Sequence, residues 1–218
     1  MMNTFKQNLK YIENWLERNN RESYFALEEG LEADEFPKYL DDLDFSLPKH
    51  FYDLYEWRNG MEWYDNPTYG MSPYRLIPGY TFNSLEASLE IHDAYFEIVR
   101  EIFEYEARET KQGHSSHYGI VNCCFLPILT LDHRTHIFLL GNNREDGSYP
   151  LVYIAFDDGL SFCFDSLSGM ISTFFECFKS GAYYTQQRPS GEVELRQNSE
   201  ACRQIERRFN PICYRNLS

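Results

Sequence analysis

The stretch THIFLLGNNREDGSYPLVYIAFDDGLSFCF, residues 135–164, contains three apolar runs of strand length, at 135–141, 151–156 and 160–164. Each is rich in β-branched and aromatic residues and bounded by turn-forming ones, the pattern of a strand and not of a helix. A fourth run, CCFLPIL at 123–129, precedes them. Asp157-Asp158-Gly159 is too short a link for anything but a hairpin, and its glycine supplies the positive φ such a turn needs. The two runs flanking it therefore pair antiparallel. The spacing predicts a largely antiparallel sheet at the centre of the fold.

Around this block the period becomes helical. Phe5, Leu9, Ile12 and Leu16 share one face of a helix running to about Asn19. A second helical stretch is expected at 22–29, closed by Gly30. Phe36, Tyr39, Leu40 and Leu43 continue the period, with Pro37 in a first turn where its missing N–H is harmless. In LPKHFYDLYEWRNG, residues 47–60, Pro48 fits a first helical position. Phe51, Leu54, Tyr55 and Arg58 line one side, and Asn59-Gly60 reads as the stop. Residues 61–82 are aromatic and turn-rich, punctuated by Pro67, Gly70, Pro73, Pro78 and Gly79, with YRLI at 74–77 as a strand-sized piece. Asn83 is placed to cap a long helix, with Glu86 reaching back, and Leu85, Leu89, His92, Phe96, Val99 and Phe103 form its stripe. Ile171, Phe174, Phe175 and Phe178 mark a helix ending at Gly181. Residues 186–199 read as an exposed connector, and 200–211 as a last helix stopped by Asn210-Pro211. The expectation is one α+β domain over residues 1–218, its core at 28–211 and a helical extension at 1–27.

Composition narrows the function classes. With 43% hydrophobic and 17% aromatic residues among 218, the chain can fill a core. A formal net charge of −14 disfavours phosphate backbones and anionic lipid, and favours a basic protein partner. The cysteines at 123, 124, 163, 177, 202 and 213 sit in apolar or helical contexts, not in the loop-rich spacing of a secreted disulfide scaffold, and read as reduced. The N-terminus has no apolar signal core and no run of about 18 apolar residues occurs. A soluble, cytoplasmic protein with no membrane and no nucleic-acid partner is the reading.

Motifs for chemistry are weak. His114-Ser115-Ser116-His117 and His133-Arg134-Thr135-His136 are H-x-x-H pairs, but neither sits on a helix with an intervening glutamate, and a zinc site needs three or four converging ligands. Adjacent Cys123 and Cys124 point to opposite faces of a strand and do not chelate together. The serines at 72 and 161 lack the final glycine of a nucleophile elbow, and no phosphate-binding glycine loop occurs. No catalytic, metal or cofactor residue is assigned, and a metal-dependent hydrolase is the least favoured class. More informative is 28–44, where Glu28, Glu29, Glu32, Asp34, Glu35, Asp41, Asp42 and Asp44 face the single base Lys38, while Arg188, Arg196, Arg203, Arg207, Arg208 and Arg215 lie in the C-terminal segment. Helical spacing would set Glu28 with Glu32, and Glu32 with Glu35, on one face. Glu28, Glu32, Glu35, Asp41 and Asp42 are the candidate landing surface for a basic partner, with Trp63 as a candidate at its border.

In order, LEEGL, LPKHFYDLYEWRNG, YRLIPGYTFNSLEASLE, the apolar strands, LSFCFDSLSGMISTFFECFKSG and IERRFNP resemble the SUKH superfamily, in its branch of cell-wall assembly regulators and bacterial immunity proteins (Smi/Knr-like). Leu47-Pro48 followed by Trp57-Arg58-Asn59-Gly60 carries the most distinctive part, spanning a Leu-Pro and a W-x-N-G. The resemblance implies an α+β protein-binding platform and not a catalyst. It implies an immunity protein neutralising a toxin, a nuclease among the options, with an intracellular regulatory scaffold as the alternative. The helix from Leu85 and the segment at 1–27 are additions to the shared pattern. Trp57 is expected to pack inward.

Overall fold

The apolar runs do form one sheet. In the computed structural model, which describes residues 4–43, 45–62, 74–111, 125–132, 134–141, 149–156 and 159–211, β4 (Phe125–Asp132), β5 (Thr135–Leu140), β6 (Leu151–Ala155) and β7 (Gly159–Phe164) are successive antiparallel neighbours. Here strands and helices are numbered along the chain. β3 (Thr81–Phe82) adds a fifth strand beside β4, with Phe82 opposite Leu129. The β6–β7 register, Ala155 opposite Gly159 and Ile154 opposite Leu160, is the expected hairpin; Gly159 has φ +87°, and Asp157 and Asp158 lie outside the described residues.

Both faces of this sheet are covered, which is why its strands read as continuous apolar runs and not as alternating ones. Ile137 and Leu139 enter the main core, whereas Phe138 and Leu140 enter a second cluster with Val99 and Phe103 of α5 (Leu85–Lys111). α5 is the long helix expected, at 27 residues. The main core is shared by α1 (Thr4–Asn19), α4 (Lys49–Trp57) and α6 (Leu167–Ser180). Phe5, Leu9, Ile12 and Leu16 belong to it, and Tyr11 and Trp15 set their rings 4.9 and 4.6 Å from Phe175 and Phe178. α6 stops at Gly181, which has φ +77° as its sequence demands.

Several boundaries differ from the expectation. The helix expected at 22–29 is only α2 (Arg21–Phe25), and β1 (Leu27–Glu29) follows it, because tertiary pairing with β2 (Arg58–Met61) overrides local helix preference. Gly30 is therefore no helix stop: a Cβ there would stand 2.0 Å from the Glu56 carbonyl oxygen, so glycine permits a close approach that also lets the Leu31 N–H donate to the Tyr55 carbonyl at 2.9 Å. α3 covers only Phe36–Leu40. Pro48 caps α4 from just outside its first turn, and the helix ends at Trp57 with Arg58 already extended. Arg58 thus lies on β2 and not on the α4 face. The cap of α5 comes from Ser84, whose hydroxyl accepts from the Ala87 N–H at 3.2 Å; Asn83 instead donates its side-chain amide to the Pro127 carbonyl. The expected connector at 186–199 is mostly a hairpin of β8 (Tyr183–Gln187) and β9 (Val193–Gln197), leading into α7 (Ser199–Phe209). Each strand buries a single side chain in the main core, Tyr183 and Leu195, too little apolar pattern to announce a hairpin.

The W-x-N-G stretch joins elements that are distant in sequence. The Trp57 indole N–H donates to Glu13 Oε2 at 3.1 Å, and Arg58 Nη2 donates to Glu13 Oε1 at 2.7 Å. Asn59 Oδ1 accepts from the Leu85 N–H at 2.9 Å, satisfying a donor in the first turn of α5. Gly60 has φ +86°, and a Cβ on it would meet the Ser84 nitrogen at 2.2 Å. Trp57 is half-buried and stacks with Phe82. A second charged contact lies beside this one: the buried Asp53 carboxylate accepts from Lys49 at 2.7 Å and pairs with Lys6 at 3.0 Å. Lys6 also reaches Glu56 at 2.9 Å. These groups bind α1 to α4 and β2.

Gly60 and Gly181 both need positive φ, but a Cβ on Gly181 meets nothing within 4 Å. Gly181→Ala is expected to cost about 1 kcal/mol, for the left-handed backbone alone. Gly60→Ala should cost about 3 kcal/mol, since the Ser84 backbone must also shift. Urea unfolding of both variants checks this, and equal losses would remove the close approach as the cause.

Burial raises the Glu13 pKa, but hydrogen bonds from Arg58, Trp57 and Lys10 outweigh it and hold the carboxyl below its ordinary value. Asp53 is likewise raised by burial and lowered further by Lys49 and Lys6. Depressed folded-state values mean that both contributions are complete above the unfolded-state pKa of about 4 and vanish as pH falls through the lower folded-state values. Glu13→Gln should lose about 2–4 kcal/mol at neutral pH. Below about pH 4 the difference from the unaltered protein should shrink, as thermal unfolding across pH will register.

Candidate protein-binding surface

The acidic run at 28–44 is pinned from below at intervals. Leu27, Leu31 and Phe36 are buried, with 7%, 8% and 6% of their surface exposed, and the Phe36 ring packs 5.1 Å from Tyr52 of α4. Between these anchors the acids have nowhere to turn but outward. Glu28, Glu29, Glu32, Asp34, Glu35, Asp41 and Asp42 are all exposed. They do not share a helix face: Glu28 is on β1, Glu32 and Glu35 are in the turn before α3, and Asp41 and Asp42 follow α3. The turn is held by its own acid, since Glu35 Oε2 accepts from the Glu32 N–H at 2.7 Å. Asp44 and Trp63 lie outside the described residues.

Charge on this surface is uncompensated. Among the described residues no ion pair engages any of these carboxylates, and the Lys38 ammonium lies over the Tyr39 ring at 5.1 Å. Burial, followed by the charges of Glu62 and Glu86, raises the Glu28 pKa above its ordinary value. Glu62 is held beside β1 by its N–H, which donates to the Ala26 carbonyl at 2.7 Å. The acidic surface thus extends from 28–42 to the end of β2 and the first turn of α5.

The C-terminal arginines are differently placed. Arg188 and Arg196 both pair with Glu194, at 2.8 and 2.7 Å, Arg203 pairs with Glu200 at 3.0 Å, and Arg208 approaches Glu176 at 3.5 Å. Arg188, Arg196 and Arg203 meet acids of their own segment and Arg208 meets one on α6, so none of these four is paired with the 28–42 run; Arg215 lies outside the described residues. The buried acids Glu13 and Asp53 were not singled out in the sequence. Their signal was an acid set among core positions of a helix, with a lysine three or four residues before it.

Of the histidine pairs, His114, His117 and His133 lie outside the described residues. His136 is buried on β5, its Nδ1 2.9 Å from the Thr130 hydroxyl and its ring among Tyr95, Phe138 and Phe156. Among the described residues no group of three or more His, Cys, Asp or Glu side chains is arranged to hold a metal ion, and no helix is long and apolar enough to cross a membrane. Cys123, Cys124 and Cys213 are outside the described residues as well.

Following the Glu28 carboxyl by NMR titration should give a pKa above the ordinary glutamate value of about 4.3. Glu62→Gln is expected to bring it part of the way back, and no change would assign the shift to burial alone. The chain matches no model of a known protein family, and no curated protein matches it.

Proposed function

We propose that the protein is a non-catalytic binding domain of SUKH type, an immunity protein that neutralises a basic toxin domain inside the cell that makes it. The observation that carries this reading is the acidic run, which no ion pair engages among the described residues: Glu28, Glu32, Glu35, Asp41 and Asp42 are exposed on short, pinned elements while Arg188, Arg196, Arg203 and Arg208 are paired with acids nearby. Clustered acids repel one another and contribute little to folding, so their retention suits recognition. The resemblance through Leu47-Pro48 and Trp57-Arg58-Asn59-Gly60 supplies the toxin part of the proposal. A nuclease, whose substrate cleft is cationic, is the toxin class that an acidic face fits best.

The test is capture of a toxin domain from the source cells, followed by growth rescue when that toxin and this protein are co-expressed. Association should slow as salt shortens the screening length from about 10 Å at 0.1 M to about 3 Å at 1 M. Reversing Glu32, Glu35, Asp41 and Asp42 to lysine should reduce the association rate at low salt at least about tenfold. Unfolding of that variant should stay within about 1 kcal/mol of the unaltered protein. Equal association rates would remove this surface as the landing site, and rescue by the reversed variant at unchanged strength would do the same.

A further inference from the structure

We propose that the outward flank of α5 is a second docking surface, and that its occupant is a basic amphipathic helix of another protein. Ile91, Tyr95, Ile98, Ile102 and Tyr105 recur at spacings of four, three, four and three along α5, the repeat of a helix that packs on another helix. This stripe is distinct from the one facing the sheet, where His92 and Phe96 lie against Phe125, and Val99 and Phe103 are buried. Tyr95 and Ile102 hold its inner side against the second core cluster, with the Tyr95 ring 4.8 Å from Phe156. Ile98 and Tyr105, one heptad apart, are left 44% and 57% exposed. A single exposed apolar residue means little, but two on one repeat mark a face.

The sheet offers the same occupant a second contact. Three helices, α1, α4 and α6, share the main core, whereas α5 is the only helix in the second cluster among the described residues. β7, at the edge of the sheet, keeps Leu160 and Phe162 half-buried on the side of that cluster. A helix laid beside α5 covers Ile98 and Tyr105 with one flank and approaches β7 with the other.

Charge selects the partner. Glu90, Glu97, Glu101 and Glu104 are exposed along the solvent border of the stripe, three of them repeating every seventh residue. Arg100 pairs with Glu97 and approaches Glu104 at 3.9 Å, while the Arg108 Nε–H donates to the Glu104 carbonyl at 3.2 Å. Among the described residues no ion pair engages Glu90 or Glu101. The border is thus net negative, and lysines or arginines flanking a partner's apolar repeat meet it. A second copy of this chain fits worse: packed antiparallel, it sets the acidic border against itself, and each copy carries a net charge of −14. This surface is separate from the 28–42 run and does not depend on that run binding a toxin.

The probes are labelled synthetic peptides of about three heptads. One has leucine at each a and d position with lysines beside them, and another has the same residues in scrambled order. Titrated with the full chain and followed by fluorescence anisotropy, the ordered peptide should bind at least about tenfold more tightly than the scrambled one. Replacing its lysines by glutamate should weaken binding at least about tenfold. Ile98→Ser combined with Tyr105→Ser should bring the ordered peptide down to the scrambled level. Reversing Glu32, Glu35, Asp41 and Asp42 to lysine should leave the preference for the ordered peptide in place. Equal binding of ordered and scrambled peptides to the unaltered protein would mean charge alone at work and would overturn the proposal, however the variants fold. Sedimentation of the peptide-free protein as a dimer that the double variant dissociates would overturn it as well, by giving the surface to a second copy.

Discussion

The carboxylate of Glu13 is the constraint on which the arrangement of α1, α4 and β2 turns. A buried acid is tolerable only when its lone pairs are met, and here Trp57, Arg58 and Lys10 meet them from three backbone positions. That requirement sets where α4 must end, since Trp57 and Arg58 reach Glu13 from the last helical residue and the first residue of β2. Asn59 then binds the start of α5, and Gly60 lets the strand pass against Ser84. Four consecutive residues thereby fix α1, α4, β2 and α5 relative to one another. Apolar burial supplies most of the energy, but it is nondirectional. The charged contacts select which packing results.

The same junction holds the acidic surface in place. β1 exists only because β2 offers a partner, and Gly30 allows the chain to leave β1 over the carbonyl end of α4. Leu31 and Phe36 then anchor the turn and α3. A run that would repel itself into disorder is instead displayed on elements too short to be stable alone. Like charges cost little while solvated, and the uncompensated field remains free to act outward.

What the sequence revealed followed the strength of each physical signal. Apolar runs buried on both faces identified β4 to β7, and the period through Phe5, Leu9, Ile12 and Leu16 identified α1. The α+β class was legible from these alone. The short elements were not: β1 carries one buried residue, Leu27, and its identity depends on a partner 30-odd positions away. β8 and β9 were hidden for a related reason, since each buries only one side chain, Tyr183 or Leu195. Asn83 was expected to cap α5, yet Ser84 caps it and Asn59 serves the Leu85 N–H, because a cap can come from any residue that the fold brings near. Exposure of the acids was legible from composition, whereas their unopposed state required knowing that Arg188, Arg196, Arg203 and Arg208 face other glutamates.

The packing of α1 on α6 has a consequence for how the chain is made. Asn8 and Ser172 touch across 164 positions of sequence, and the rings of Tyr11 and Trp15 rest on Phe175 and Phe178. A ribosome adding about 5–20 residues per second needs on the order of ten seconds or more to deliver α6 after α1. Throughout that interval Phe5, Leu9, Ile12 and Leu16 lack the part of their cover that α6 supplies, whatever α4 already shields. The contact of α1 with α6 is therefore one that a growing chain can complete only late in its synthesis.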